Sequence, residues 1–512
     1  MKVLLINSNR RYFKNTLGLD MTIQRSSVPI GLLSVAAFLR ERRPQIEIKI
    51  IDCLVDKETM IEERGTQIFH GLREDSLNER IEKFSPDIIG VTVNFTSQAT
   101  PALNLVRAVK GRFPKTIMVI GGCHATVEAD RIMEQYPEID YIIRGEGETA
   151  FCKLVGALEN GASVEGVDNL TYHRDGAINS SPIKLIENLD ELPYPAYDLV
   201  DMKLYFHRRS SLLKKWLVVS PESGLVKIIK KIFFGDRFKD VRDLTIFTSR
   251  GCPFGCVFCS IRYQFGRGWR GHSAEYVIGH LKYLCERFKI NYLHFEDDNV
   301  SFDLERFERI LDGILENNLK FHWDLPNGIR ADYLTEKIIK KMRACGCDQI
   351  TVAVESGVQE ILDKVIKKSI KLSDIERTLR ICRDEGVQTG AFYMIGIPGE
   401  TLATMQQTID VAHRFEKKYG TTPYLAVAAP LPGTELYEIC QANNYFAIPP
   451  VPDNYARLAK GDVFMTKTEN FGPDDLKKMY RHFYHLDNLF IFSVIMMLKT
   501  VKRIIHHRRA TI

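Results

Sequence analysis

The 512-residue chain is too long for one ordinary compact domain, and its 45% hydrophobic and 26% charged residues exclude a disordered or fibrous protein. Eleven Cys are too few for a disulfide scaffold, and the opening MKVLLINSNR lacks the small-residue cleavage site of a secretory signal. A reducing, cytoplasmic setting is therefore expected, where clustered Cys point to metal; the net charge of +5 is modest as a total and unevenly spread.

Along residues 1–160, short apolar runs alternate with helical patterns. The runs at 3–6, 46–51, 87–93, 117–120 and 141–143 read as strands; 30–39, 98–112, 127–136 and 148–158 read as helices. This alternation predicts a doubly wound parallel sheet of the Rossmann-like kind, whose ligand lies beyond the carboxyl ends of the strands, at 7–10, 94–97, 121–126 and 144–148. Residues 168–183 read as a hairpin around Asp175-Gly176, 188–197 as a proline-bearing linker, and 203–242 as a basic stretch. From 243 the alternation resumes. Strands are predicted at 244–248, 292–295, 321–329, 349–354, 387–395 and 423–429, and helices at 273–288, 303–316, 334–344, 372–385, 401–416 and 434–443. Six such units predict a partial (β/α)6 barrel of the TIM-like kind, followed by a helical C-terminal tail. The expected division is 1–160, 161–242, 243–445 and 446–512.

The strongest chemical signal is Arg250-Gly-Cys252-Pro-Phe-Gly-Cys256-Val-Phe258-Cys259, on a loop directly after the first barrel strand. Three thiolates at this tight spacing can hold three irons of a cubic [4Fe–4S] cluster and leave the fourth open. A zinc knuckle, the competing assignment, normally needs four ligands and a paired second half. The other eight Cys lie mostly in apolar patterns, as small core residues do.

With Phe258 before the last Cys, this loop resembles that of the radical S-adenosylmethionine (SAM) enzymes. The resemblance implies that Cys252, Cys256 and Cys259 bind the cluster, that SAM binds the open iron, and that reduction yields a 5′-deoxyadenosyl radical. It extends to the later strand ends. Glu296 and Asp297 lie where the family faces the SAM amino group, and Arg330 where it faces the carboxylate. Glu355 and Ser356 lie where side chains approach the ribose, Gly396 and Pro398 near the adenine, and Ala429–Thr434 ends the sixth strand.

The order of front domain, proline linker and barrel, over roughly 1–445, resembles the cobalamin-binding radical SAM enzymes. The carrying motifs are Pro29-Ile-Gly-Leu-Leu33, Ser85-Pro-Asp-Ile-Ile-Gly90, Gly121-Gly122-Cys-His124 and Arg144-Gly145-Glu146-Gly-Glu148. The resemblance implies a cobalamin-binding front domain and methyl transfer to an unactivated carbon of a lipid-like or other small molecule. It also implies an electron donor such as flavodoxin or ferredoxin, and no nucleic-acid partner. The cobalt-ligating Asp-x-His-x-x-Gly motif is absent; the chain reads Asn7-Ser-Asn-Arg10 there. Cobalamin is then expected to bind without an imidazole below the cobalt, His124 being the one nearby substitute. Two alternatives stay open: a non-methylating radical SAM cyclase or bond-forming lipid enzyme, and a cobalamin- or cluster-binding sensor without turnover.

The charge is concentrated in two places. Residues 203–242 carry eleven Lys/Arg against three Asp/Glu, and 491–512 carry five Lys/Arg and no acid. Within 225–233, Leu225, Val226, Ile228, Ile229, Ile232 and Phe233 share one helical arc and Lys227, Lys230 and Lys231 the opposite one. The apolar run 489–498 is far short of the ~20 residues that span a bilayer. Both elements predict peripheral binding to the inner face of the membrane.

Overall fold

The computed structural model describes residues 1–13, 27–206, 241–458 and 463–484. The two segments expected at a membrane surface, 225–233 and 489–498, lie outside the described residues. No helix among the described residues is long and apolar enough to cross a membrane.

The front domain is built on a seven-stranded sheet. Its strands in chain order are β1 (Lys2–Asn7), β3 (Glu47–Asp52), β6 (Ile88–Thr92), β7 (Ile117–Gly121), β8 (Tyr141–Ile143), β9 (Leu170–Arg174) and β10 (Ala177–Ser180), and they lie side by side as β3-β1-β6-β7-β8-β9-β10. The first five are parallel, so the order reverses between β1 and β6, the switch point where ligands bind in doubly wound sheets. Alternation along β1 explains the two layers. Val3 and Leu5 pack with the helices Ile30–Arg42 and Gly147–Glu159 on one face; Leu4 and Ile6 pack with Glu74–Phe84 and Ala99–Arg112 on the other.

Three features depart from expectation. The hairpin around Asp175-Gly176, assigned above to the linker region, continues the front sheet, because β9 pairs antiparallel with β8. The helix expected at 127–136 is two short ones, Cys123–Val127 and Ala129–Gln135, broken at Glu128. A small antiparallel sheet, β2 (Arg10–Phe13) with β5 (Gln67–Gly71) and β4 (Met60–Arg64), and the crossover helix Glu74–Phe84 fill a stretch left without elements.

The second domain is an open parallel sheet in chain order: β11 (Asp243–Ile246), β14 (Tyr292–Phe295), β15 (His322–Ile329), β16 (Cys347–Glu355), β17 (Gln388–Ile395) and β18 (Thr422–Val427). Its outer helices start where a side chain can cap them. Ser273, Asp303, Thr335, Thr401 and Thr434 each accept a hydrogen bond from the backbone N–H three residues on. The described part of the tail packs on both domains. In the helix Pro452–Leu458, Asp453 pairs with Arg11 and accepts from Thr100 Oγ1 at 2.9 Å, while Tyr455 donates to Pro430 O. After the helix Pro473–Phe483, the Tyr484 hydroxyl accepts from Leu425 N at 2.8 Å and donates to Leu425 O at 3.0 Å, along the free edge of β18.

Candidate active site

Two short strands, β12 (Ser249–Arg250) and β13 (Arg270–Gly271), pair antiparallel and form the base of the cysteine loop. The entrance is tight. Gly251 has φ +84°, and a Cβ there would lie 2.5 Å from Gly268 O, so only glycine fits. Its N–H donates to Asp298 Oδ2 at 2.9 Å. In mid-loop, Val257 is buried and held by backbone bonds to Ile366 and Leu436, and Phe258 packs on the barrel core. The three Cys stay partly accessible around this anchor. Burial pushes all three thiols up, Cys259 to about 12. They would become thiolates by releasing their protons as the metal binds.

The surroundings fit a cluster and SAM. Asn299 Nδ2 points at Cys252 Sγ, 3.8 Å away, as a donor that would tune cluster sulfur. On the same segment Asp297 Oδ2, Asn299 Oδ1 and Ser301 Oγ are buried without a protein partner. Three unsatisfied acceptors call for a ligand that brings donors, as the SAM ammonium does. Among the described residues no three His, Cys, Asp or Glu side chains converge on a single-ion geometry. Thiolates on three separate irons have no need to.

Several predicted SAM contacts are otherwise engaged. Asp297 Oδ1 accepts from Thr248 N at 3.0 Å, Thr248 Oγ1 at 2.8 Å and Ser249 Oγ at 2.5 Å, so half of this carboxylate fastens the start of the cysteine loop. Glu296 accepts from Thr245 Oγ1 at 3.2 Å, and burial raises its pKa. Arg330, expected to face the SAM carboxylate, instead forms a two-pronged pair with Asp332 at 2.7 and 3.1 Å and donates to Lys368 O and Ser369 O. Its guanidinium lies 3.7 Å from the centre of the Phe254 ring in the cysteine loop. Glu355, at φ +66°, pairs with buried Lys368 at 2.8 Å. Ser356, expected near the ribose, is fully buried and sits 3.1 Å from Thr408 Oγ1. Gly396 has φ +86° and its carbonyl accepts from Thr466 Oγ1 at 3.1 Å. Pro398 lies within a loop closed by Glu400, which accepts from Ile397 N at 2.9 Å; burial pushes the Glu400 carboxyl up to about 7.

In the front domain, Gly121 ends β7 and Gly122, at φ +113°, follows it. A Cβ at Gly122 would lie 2.4 Å from Asn94 Oδ1 and 2.9 Å from Val93 O, so the close approach of the loops after β6 and β7 requires glycine. Beside them at the switch point Phe95 is 59% exposed, with the Arg10 guanidinium 5.9 Å from its ring centre. An exposed aromatic face at this place fits a large flat macrocycle. His124, the substitute imidazole, is not presented to it. The ring is buried, its Nδ1 lies 3.1 Å from Thr96 Oγ1, and burial lowers its pKa to about 4.

Glu146, expected beside a cofactor, is instead the hub of the contact between the domains. It takes Arg250 Nη1 at 2.8 Å, Arg270 Nη1 at 2.9 Å and Ile186 N at 2.7 Å. Glu148 takes Arg250 Nη2 at 2.6 Å and Ser34 Oγ at 2.7 Å. Burial opposes its ionisation, yet Arg250 holds the Glu148 carboxyl below its ordinary value. Gly145, at φ +68°, donates from its N–H to Thr126 Oγ1 at 2.9 Å and accepts from Gln264 Nε2 at its carbonyl. Asn299 closes the strand-end motif expected to face the SAM amino group, whereas Lys368, Gln264 and the Arg250 pairing were not among the expected contacts. Only Arg250 carries a sequence signal, its place directly before the cysteine loop.

Fold and site together define a radical SAM enzyme with a B12-binding front domain: residues 19–155 match the B12 binding domain family and 246–412 the radical SAM superfamily. Over 89% of its length the chain is 31% identical to an uncharacterized methyltransferase of Pyrococcus horikoshii, covering 86% of that protein. Over 86% of its length it is 26% identical to cytidylyl-2-hydroxyethylphosphonate methyltransferase of Streptomyces wedmorensis, covering 81% of it. The fold resembles the radical SAM methyltransferase TsrM of Kitasatospora setae with cobalamin and [4Fe–4S] cluster bound, at TM-score 0.62 and 17% identity, over 89% of this chain and 84% of that one. The chain belongs to the cobalamin-dependent radical SAM methyltransferase family, whose cofactors are the [4Fe–4S] cluster, SAM and cobalamin.

Proposed function

We propose that this enzyme methylates an unactivated carbon of a small molecule, lipid-like or lipid-linked, at the inner membrane surface, with a flavodoxin or ferredoxin supplying the electron. When bound, the cluster with SAM supplies a radical able to take hydrogen from a C–H bond, and cobalamin supplies the methyl group.

One observation carries the methyl-transfer reading. The cysteine loop and the loops after β7 and β8 share buried hydrogen bonds through Gln264 and Arg250, so the two cofactor domains are held together at their ligand-binding ends. A radical source and a methyl source must reach the same substrate carbon, which this arrangement favours. The chain's own residues do the rest. The unsatisfied acceptors of Asp297, Asn299 and Ser301 suit an ammonium. Phe254, packed edge-on against Phe302 at 6.3 Å and near Tyr333, anchors the cysteine loop to the neighbouring strand ends. The lipid-like substrate is supported by the basic, amphipathic segment 225–233 and by the apolar run 489–498 with the basic cluster that follows it.

The test is mass spectrometry of lipids and metabolites from cells fed methionine with a deuterated methyl group. A product carrying that methyl should appear with the active protein and vanish with Cys259→Ala. A new product without the label would refute methyl transfer in favour of cyclisation. Sedimentation with anionic liposomes at low and high salt tests the membrane part. Negligible binding by the full chain would remove the membrane from the proposal.

A further inference from the structure

Both ends of the cysteine loop are tied to the front domain, and to different loops of it. Arg250, two residues before Cys252, reaches into the turn after β8, where Glu146 and Glu148 hold it. Gln264 lies five residues after Cys259, in the short helix Ile261–Phe265. Its buried side-chain amide sits between two front-domain groups: Oε1 lies 3.0 Å from Thr126 Oγ1, and Nε2 donates to Gly145 O. Thr126 Oγ1 also lies 2.9 Å from Gly122 O and accepts from Gly145 N. The hydroxyl of one residue therefore joins the loop after β7, the turn after β8 and the helix leaving the cysteine loop. These are the loops at the carboxyl ends of the front strands, where a doubly wound sheet binds its ligand.

We infer that Gln264 is a positioning residue through which occupancy of the cobalamin site and occupancy of the cluster site are energetically coupled. The inference rests on the two-cofactor reading above. Coupling of this kind is reciprocal: if the cluster tightens cobalamin, cobalamin tightens the cluster by the same factor. The chemistry of the contact makes it directional. The Gln264 amide uses an acceptor toward Thr126 and a donor toward Gly145, so neither a carboxylate nor an apolar side chain can replace both bonds. A shift of the loop after β7 that would lengthen either bond leaves a buried polar group unpaired, and the loop after Cys259 must follow it.

The experiment uses the full chain, without its cluster after chelation and with it after anaerobic reconstitution. Hydroxocobalamin is titrated into each and followed by its visible absorbance. Cluster-loaded protein should bind cobalamin about fivefold or more tightly than cluster-free protein, the lower end of ordinary coupling. The electron paramagnetic resonance spectrum of the reduced cluster should change when cobalamin is added. Gln264→Ala should still take up iron and cobalamin but bring the affinity ratio to near one and remove the spectral change. Thr126→Val, approaching the contact from the other side, should do the same, and the double variant should add nothing. A merely structural role would weaken cobalamin equally in both states and leave the ratio intact, which overturns the inference. An affinity ratio of one in the unaltered protein overturns it without any variant. Absence of cobalamin binding in either state would instead bring down the two-cofactor reading, and the inference with it.

Discussion

Replacing Arg250 by Met tests the joint between the domains. The side chains of Glu146 and Glu148 are 1% and 4% exposed, and Arg250 reaches both carboxylates. After the substitution Glu146 keeps Arg270, whereas Glu148 retains the Ser34 hydroxyl and its own backbone N–H but loses Arg250. One buried carboxylate is thus left without its counter-charge, a change that costs about 3–5 kcal/mol. At an m-value of about 3 kcal/mol per M, the urea midpoint should fall by roughly 1–2 M, read by tryptophan fluorescence. The loss should depend on pH. The Glu148 pKa lies below its ordinary 4.5 in the folded protein, so its stabilisation is present above that value and disappears as pH falls through the lower folded value. Arg250→Met should therefore destabilise strongly at pH 7 and progressively less in acid. Adding Glu148→Gln removes the stranded charge and should recover at least about 1 kcal/mol. A loss below about 1 kcal/mol in the single variant, or a double variant no more stable than it, would refute the buried-pair account.

Alanine at Cys252, Cys256 or Cys259 should abolish formation of 5′-deoxyadenosine and lower the iron content, since the site needs all three thiolates; chromatography of the products checks it. His124→Ala should leave the cobalt paramagnetic resonance signal of cobalamin-loaded protein unchanged, with no protein nitrogen on the metal, because the ring is buried against Thr96. Burial holds the Glu400 pKa up at about 7 against an ordinary 4.5, so ionising it costs stability as pH rises across that interval. Glu400→Gln should accordingly gain stability relative to the unaltered protein at pH 8 compared with pH 5, and an equal difference at both pH values would contradict this.

The barrel was legible because its strands set buried apolar residues between half-buried ones and are separated by capped helices; the strand at 292–295 coincides with its prediction. The cysteine loop was legible because its ligands are neighbours in sequence. The small sheet containing Met60–Arg64 was not, since its residues alternate no clear apolar face. The crossover helix Glu74–Phe84 did carry a stripe, Leu77, Ile81 and Phe84, that went unread. The protein partners of the expected site residues were illegible for a common reason. An acidic or basic side chain at a strand end looks available to a ligand until its partner is known, and the partner of Glu146 is 104 residues away in sequence. Arg330 differs: its partner Asp332 is two residues on, but the carbonyls that complete its shell belong to Lys368 and Ser369. Gln264 gave no signal at all, because one amide in the short mixed helix Ile261–Phe265 acquires meaning only when two distant loops close on it.

The bond pair between Tyr484 and Leu425 bears on how far the protein can be shortened. The open sheet ends at β18, whose outward backbone groups would otherwise be free to recruit a strand from another molecule. A chain cut at 445, just past the sixth helix (Glu435–Ala442), would lose this phenol and the Asp453 clasp on the front domain. Such a fragment would keep every cluster ligand and still be prone to self-association through its bared sheet edge. The described segment that ends at Tyr484 thus serves as a guard against polymerisation.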